Sequence, residues 1–151
     1  MLHEKLNAYR LRLDELKSKV ALLQPLMQCG NLTAVTPASA PQYLEWSSNG
    51  FGVASLYYSF TMELFGKIDA TLDLSRSIAF LDKAGSCLGD QKDTATARGQ
   101  YVSKDPDVIT ALEMRAEAEA LMNFYKSKAQ EFKMNHEAVK KIIYGDNFGV
   151  E

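Results

Sequence analysis

The segment from Asp105 to Gly145 constrains this chain more than any other, because it reads as one uninterrupted helix. Asp105 suits an N-cap, where its carboxylate can accept the orphan amide hydrogens of a first turn. Pro106 suits the next position, where its missing donor costs nothing. Val108 then starts a run in which Met114, Ala118, Leu121, Tyr125, Phe132, His136, Val139 and Ile143 mark one face, and Gly145 is a natural stop. Such a helix runs about 38 residues, against an average of roughly 10–14 in globular proteins. A rod of that length can bury its apolar stripe only against other long helices, which points to an all-α protein.

The first helix expected is at the other end of the chain. Leu2, Leu6, Tyr9, Leu13, Leu16, Val20, Leu23 and Met27 follow the alternating three- and four-residue steps of a heptad seam. That seam predicts contact with a partner helix, within the chain or between copies, and Leu13, Leu16 and Val20 are its central positions. Pro25 removes a backbone donor and clashes one turn back, so the helix should kink or end near Leu23. Gly30, Pro37, Pro41 and Gly50, interspersed with Ser and Thr, make residues 28–50 read as a linker, with Tyr43, Leu44 and Trp46 docked on the helices.

From Ala54 to Leu64 apolar and polar residues alternate, as in a strand, but the run continues without a turn through Phe60, Leu64, Ile68, Leu72, Ile78 and Leu81 at helical spacing. Length favours a helix from about Val53 to Ala84. Gly85 and Gly89 loosen it, Asp93 is the expected cap of a short helical turn, and Gly99 to Asp105 forms a corner. The expected architecture is a long helical hairpin over 51–151, carrying an N-terminal coiled-coil-like helix over 1–27 and the linker between them, and working as a homo-oligomer.

The totals agree with a globular domain: 151 residues, 46% hydrophobic and 24% charged. Net charge is −2, which excludes a strongly basic nucleic-acid binder but not a local basic patch. Cys29 and Cys87 offer neither a disulfide framework nor a metal spacing, so a reducing cytoplasmic setting is expected, the host cytoplasm if the chain is phage-encoded. The charged N-terminus does not read as a signal peptide. No stretch is long and apolar enough to read as a membrane span.

No catalytic constellation emerges. His3 and His136 lack a nearby carboxylate or cysteine pattern, and His136 lies on the apolar stripe as a core or interface histidine. The single Gly-Phe-Gly lacks the further glycine of a phosphate loop. Asp107, Glu113 and Glu117 are the acidic residues that a helix start attracts. The expectation is a binding protein, not an enzyme, with no cofactor and no metal. Charge is more informative. The corner gathers Lys92, Arg98 and Lys104 around Tyr101, and the last helix ends with Lys126, Lys128, Lys133, Lys140 and Lys141, which read either as macrodipole matching and solubility or as a phosphate-binding face. Among the aromatics, Tyr57, Tyr58, Phe60, Phe65, Phe124 and Tyr125 fit core packing, whereas Trp46 and Tyr101 sit in expected breaks and could present exposed rings.

The corner "TATARGQYVSKDPDV" and the following "ALEMRAEAEALMNFYKSKAQEFKMNHEAVKKII" together resemble, over about residues 65–144, phage recombination mediator proteins of the UvsY type. The resemblance implies a small helical protein that assembles into rings, binds single-stranded DNA and helps load a recombinase onto strands coated by a single-strand-binding protein, with no chemical step. It places the DNA contacts on Lys92, Arg98 and Lys104, to which the expected exposed ring of Tyr101 is added, and assembly contacts on Phe132, Val139 and Ile143. The alternative is a coiled-coil adaptor of a phage or mobile element that binds proteins through its heptad helix and never touches nucleic acid.

Overall fold

The computed structural model describes residues 1–145, and every regular element among them is helical. α1 spans Leu2–Ser18 and continues as a 3-10 segment, Lys19–Gly30, with a further 3-10 turn at Leu32–Ala34. α2 spans Ala40–Ile78 and passes into a π-helical turn, Ala79–Lys83, and α3, Ala84–Cys87. α4 spans Ala95–Val102 and α5 spans Pro106–Tyr144. The expected all-α class is therefore what the chain adopts. The strand-like alternation of Ala54 to Leu64 lies inside α2.

Local chemistry explains the boundaries. Ser18 Oγ donates to the Glu15 carbonyl at 2.6 Å, competing for a helix acceptor where α geometry ends. Pro25 then removes a donor one turn further on, inside the 3-10 segment. The helix ends at Ser18, earlier than the expected Leu23. α2 begins much earlier than Val53, so Ala40 to Gly50 are helix and not linker. Thr36 and Ser39 exchange hydrogen bonds, Thr36 N–H to Ser39 Oγ at 2.8 Å and Ser39 N–H to Thr36 Oγ1 at 3.2 Å, a reciprocal cap. Pro41 falls in the first turn of α2, where no donor is needed. Gly99 lies inside α4 and breaks nothing. The cap of α4 is Thr94, whose Oγ1 accepts from Ala97 N–H at 3.1 Å, not Asp93. Gly145 closes α5 with φ +67°, its N–H bonded to the Lys141 carbonyl at 2.8 Å.

The chain forms two compact units, Met1–Asp14 with Thr61–Ala120, and Glu15–Phe60 with Leu121 onward. The first buries Leu6, Leu13, Leu64, Ile68, Leu72, Val108 and Met114. Its rim is tied by Arg10 to Glu117 at 2.8 Å and by Arg115, which pairs with Asp69 and lies 5.0 Å from the centroid of Phe65. The second buries Leu16, Leu23, Cys29, Tyr43, Ala54, Tyr125, Phe132 and Val139. There Tyr125 donates to the Leu16 carbonyl at 2.6 Å, and burial, then Tyr57, pushes its hydroxyl pKa up to about 12.

These cores correct the expected assembly positions. Leu13, Leu16, Phe132 and Val139 are buried within one chain, and Val20 and Ile143 are half-buried. The heptad seam closes on the chain's own helices. A three–four period states that a face is buried and says nothing of which molecule covers it.

Candidate nucleic-acid interface

The corner was the expected DNA site, and its geometry starts from Asp105. The residue is fully buried. Its Oδ1 accepts from the amides of Asp107 at 3.0 Å and Val108 at 3.3 Å, which makes it the N-cap of α5 as expected. Its Oδ2 accepts from Tyr101 hydroxyl at 2.9 Å and Lys83 Nζ at 3.2 Å. Burial alone would raise this carboxyl, but the bonds from Tyr101, Lys83 and Val108 outweigh it and hold the pKa below its ordinary value. Lys83 is shared with Asp107 at 2.7 Å. Tyr101 is consequently half-buried with its hydroxyl engaged, and is not the free stacking ring expected of it.

Arg98 is engaged as well. Its guanidinium takes both oxygens of Asp93, at 2.6 and 2.8 Å, and Nη1 reaches the Phe80 carbonyl at 2.8 Å and the Leu81 carbonyl at 3.3 Å. The π turn widens α2 at that point, with Ala84 N–H bonded to the Ala79 carbonyl, and Arg98 satisfies the carbonyls of the widened turn. Three nitrogens making four bonds, two to Asp93 and two to the turn's carbonyls, make it a staple of the corner. Of the residues expected to bind DNA, the structure brings Tyr101 and Lys104 onto one cleft of about 280 Å³, shared with Cys87, Gln91 and Gln100. Lys92 is exposed but does not line that cleft. The corner thus offers Lys104 and Lys92 as cations for a ligand, with Arg98 and Lys83 already neutralised.

The C-terminal half of α5 carries the other basic cluster expected from the sequence. Lys126, Lys133 and Lys140 recur every seventh residue and so share one side of the helix, with Lys141 beside them. Among the described residues no ion pair is formed by Lys126, Lys133 or Lys141, while Lys128 pairs with Glu131 at 2.8 Å and Lys140 with Glu137 at 3.6 Å. The macrodipole acts within about the last turn of a helix, and Lys126 and Lys133 lie well before Tyr144, so it does not explain them. Charge also divides by unit. The first unit carries ten Lys and Arg against thirteen Asp and Glu; the second carries seven lysines against four glutamates, with Asp146 and Glu151 outside the described residues. With those two included the second unit is net +1 and the first net −3, so the lysines of α5 stand out by their position on the helix and not by the unit's total.

Beside this lysine row, α2 and α5 enclose a cavity of about 170 Å³ lined by Ser47, Ser48, Phe51, Lys133, His136 and Glu137. His136 Nδ1 lies 2.9 Å from Ser47 Oγ, and Ser47 is itself buried. Phe51 keeps 43% of its surface exposed. Trp46, expected as an exposed ring, is half-buried with its edge against Tyr43 at 5.1 Å. Tyr57 tilts against the buried Tyr125 ring at 5.7 Å and Phe124 meets it edge-on at 5.6 Å, both half-buried. Cys29 is buried, bonded from Asn135 at 3.5 Å, and burial raises its thiol pKa. Phe51 was the aromatic missed; its neighbourhood of Gly50 and Gly52 gave the appearance of a linker end.

Among the described residues no cluster of His, Cys, Asp and Glu could hold a metal ion, and no helix is long and apolar enough to cross a membrane. No family model matches the chain, and no curated protein or solved structure matches it either.

Proposed function

We propose that this chain is a single-strand DNA-binding accessory of recombination or repair, of the recombinase-loading kind, which acts as a homo-oligomer by holding a strand. The observation that carries this reading is the row of Lys126, Lys133 and Lys140, reinforced by Lys141, on a unit whose lysines outnumber its acids. Seven residues of helix rise about 10 Å, so the row follows an extended anionic strand over several phosphates. Lys92 and Lys104 are the candidate contacts of the other unit, considered by itself. The resemblance of the corner and last helix to phage recombination mediators supports the partner class, a recombinase and a single-strand-binding protein.

The test is a fluorescence anisotropy titration of a labelled single strand across a salt series. Affinity should fall steeply with salt, each neutralised phosphate contributing about 0.7 to the logarithmic slope. Lys126→Ala with Lys133→Ala should lower that slope by roughly 1.4 without altering the circular dichroism melt. No salt-sensitive binding by the intact chain at low salt removes the proposal.

A second reading, a protein-binding adaptor that never touches nucleic acid, is favoured by Leu11, Leu81 and Met134, which expose 72%, 67% and 67% of their surface. It predicts an unchanged anisotropy signal at every salt concentration and loss of partner capture on Met134→Asp.

A further inference from the structure

The cavity of Ser47, Ser48, Phe51, Lys133, His136 and Glu137 adjoins the lysine row, and its chemistry is more specific than phosphate attraction. At about 170 Å³ it falls below the roughly 300–1,000 Å³ of sites that hold whole drug-sized ligands, so it suits one flat ring. Ser47 has a single hydroxyl proton, and its Oγ donates to the Tyr43 carbonyl at 2.9 Å. In the tautomer with the ring proton on Nδ1, His136 donates to the same oxygen at 2.9 Å, the Ser47 proton going to the Tyr43 or Leu44 carbonyl. The nitrogen left with a lone pair is Nε2, which has no partner among the described residues. Glu137, held loosely by Lys140 at 3.6 Å, is a second acceptor in the lining. Lys133 is the cation, Ser48 a hydroxyl, and Phe51 an exposed aromatic face.

Resting on the reading of this chain as a single-strand binder, we infer that the cavity seats one nucleotide of the strand whose base carries an exocyclic amino group. The base stacks on Phe51, its amino hydrogens go to Glu137 and His136 Nε2, and Lys133 takes the adjoining phosphate. A carboxylate accepts from the amino group of cytosine, whereas thymine offers carbonyls in its place and leaves the acceptors without partners. A purely electrostatic groove would have no use for Glu137, which repels phosphate.

The experiment compares labelled dC and dT oligomers of equal length on the full chain at low salt. The intact chain should bind dC about fivefold or more tighter than dT. Phe51→Ala should weaken dC binding about tenfold, with Phe51→Tyr restoring it. Glu137→Ala should bring the dC-to-dT ratio to about one while leaving dT binding equal or tighter, because a negative charge is removed. Salt-sensitive binding with equal affinity for dC and dT, or with no response to Phe51→Ala in a folded variant, overturns the nucleotide seat and leaves the single-strand reading standing. No binding of either strand by the intact chain overturns both. Should Phe51→Ala fail to fold, the ratio measured on Glu137→Ala decides the matter alone.

Discussion

Gly50 and Gly66 are both helical glycines of α2, yet only one of them is required. A Cβ on Gly50 would lie 2.3 Å from the Phe132 ring, which is buried and cannot retract. Gly50→Ala should therefore destabilise by about 1–3 kcal/mol through overpacking, exceeding the roughly 0.5–1 kcal/mol that alanine gains in a helix. At Gly66 nothing lies within 4 Å of the added carbon, so Gly66→Ala should stabilise by about 0.5–1 kcal/mol. Urea melts of the two variants should move in opposite directions. Asp105 gives a prediction in pH. Its folded pKa lies below the unfolded value of roughly 3.9, so the unfolded chain binds its proton first as acid is added. The stabilisation is present above that value and is lost as pH falls through the lower, folded one. Asp105→Asn should lower stability at neutral pH and flatten the acid limb of the pH–stability curve below about pH 4. An acid limb unchanged by the substitution would show that other carboxylates govern it.

At the scale of an element, the corner separates two basic residues that look alike in sequence. Arg98→Ala removes bonds to Asp93 and to the carbonyls of the π turn, and should loosen the corner, with the cleavage of the 79–102 region by protease increased. Arg98→Lys should not restore it, because an ammonium cannot span two carboxylate oxygens and a carbonyl together. Lys104→Ala should leave stability within about 0.5 kcal/mol and reduce only strand binding. The difference was not legible in the sequence. A count of basic residues does not see Asp93 five positions away folding back onto Arg98, nor a π turn whose carbonyls need donors. Capping chemistry, by contrast, was legible wherever it is local and written in a fixed order: Asp105-Pro106 opens α5 and Gly145 closes it as expected. It failed at the start of α2 because Thr36-Pro37-Ala38-Ser39 has the composition of a linker and the bonds of a helix cap. The cavity residues were invisible for a related reason: Ser47 and Phe51 belong to a helix far in sequence from that of His136, and Gly50 lets the two helices approach closely beside them.

Across the whole molecule, the seam of α1 decides what assembly can use. Leu13 and Leu16 have no exposed surface, and Tyr125 fastens the chain at the Leu16 carbonyl. A carboxylate at either leucine would sit unpaired among apolar groups, a cost of several kcal/mol against a total stability of about 5–15 kcal/mol. Leu13→Asp and Leu16→Asp should therefore unfold the chain, and not release folded subunits. Leu81→Asp and Met134→Asp place the same charge on residues that are 67% exposed, and should leave the helical circular dichroism signal intact. Light scattering and circular dichroism on the same samples separate the two cases. If copies of this chain associate, the change in mass should follow the exposed residues, with the core variants losing helix at every concentration. A folded Leu13→Asp chain of reduced mass would mean that the heptad face joins copies after all.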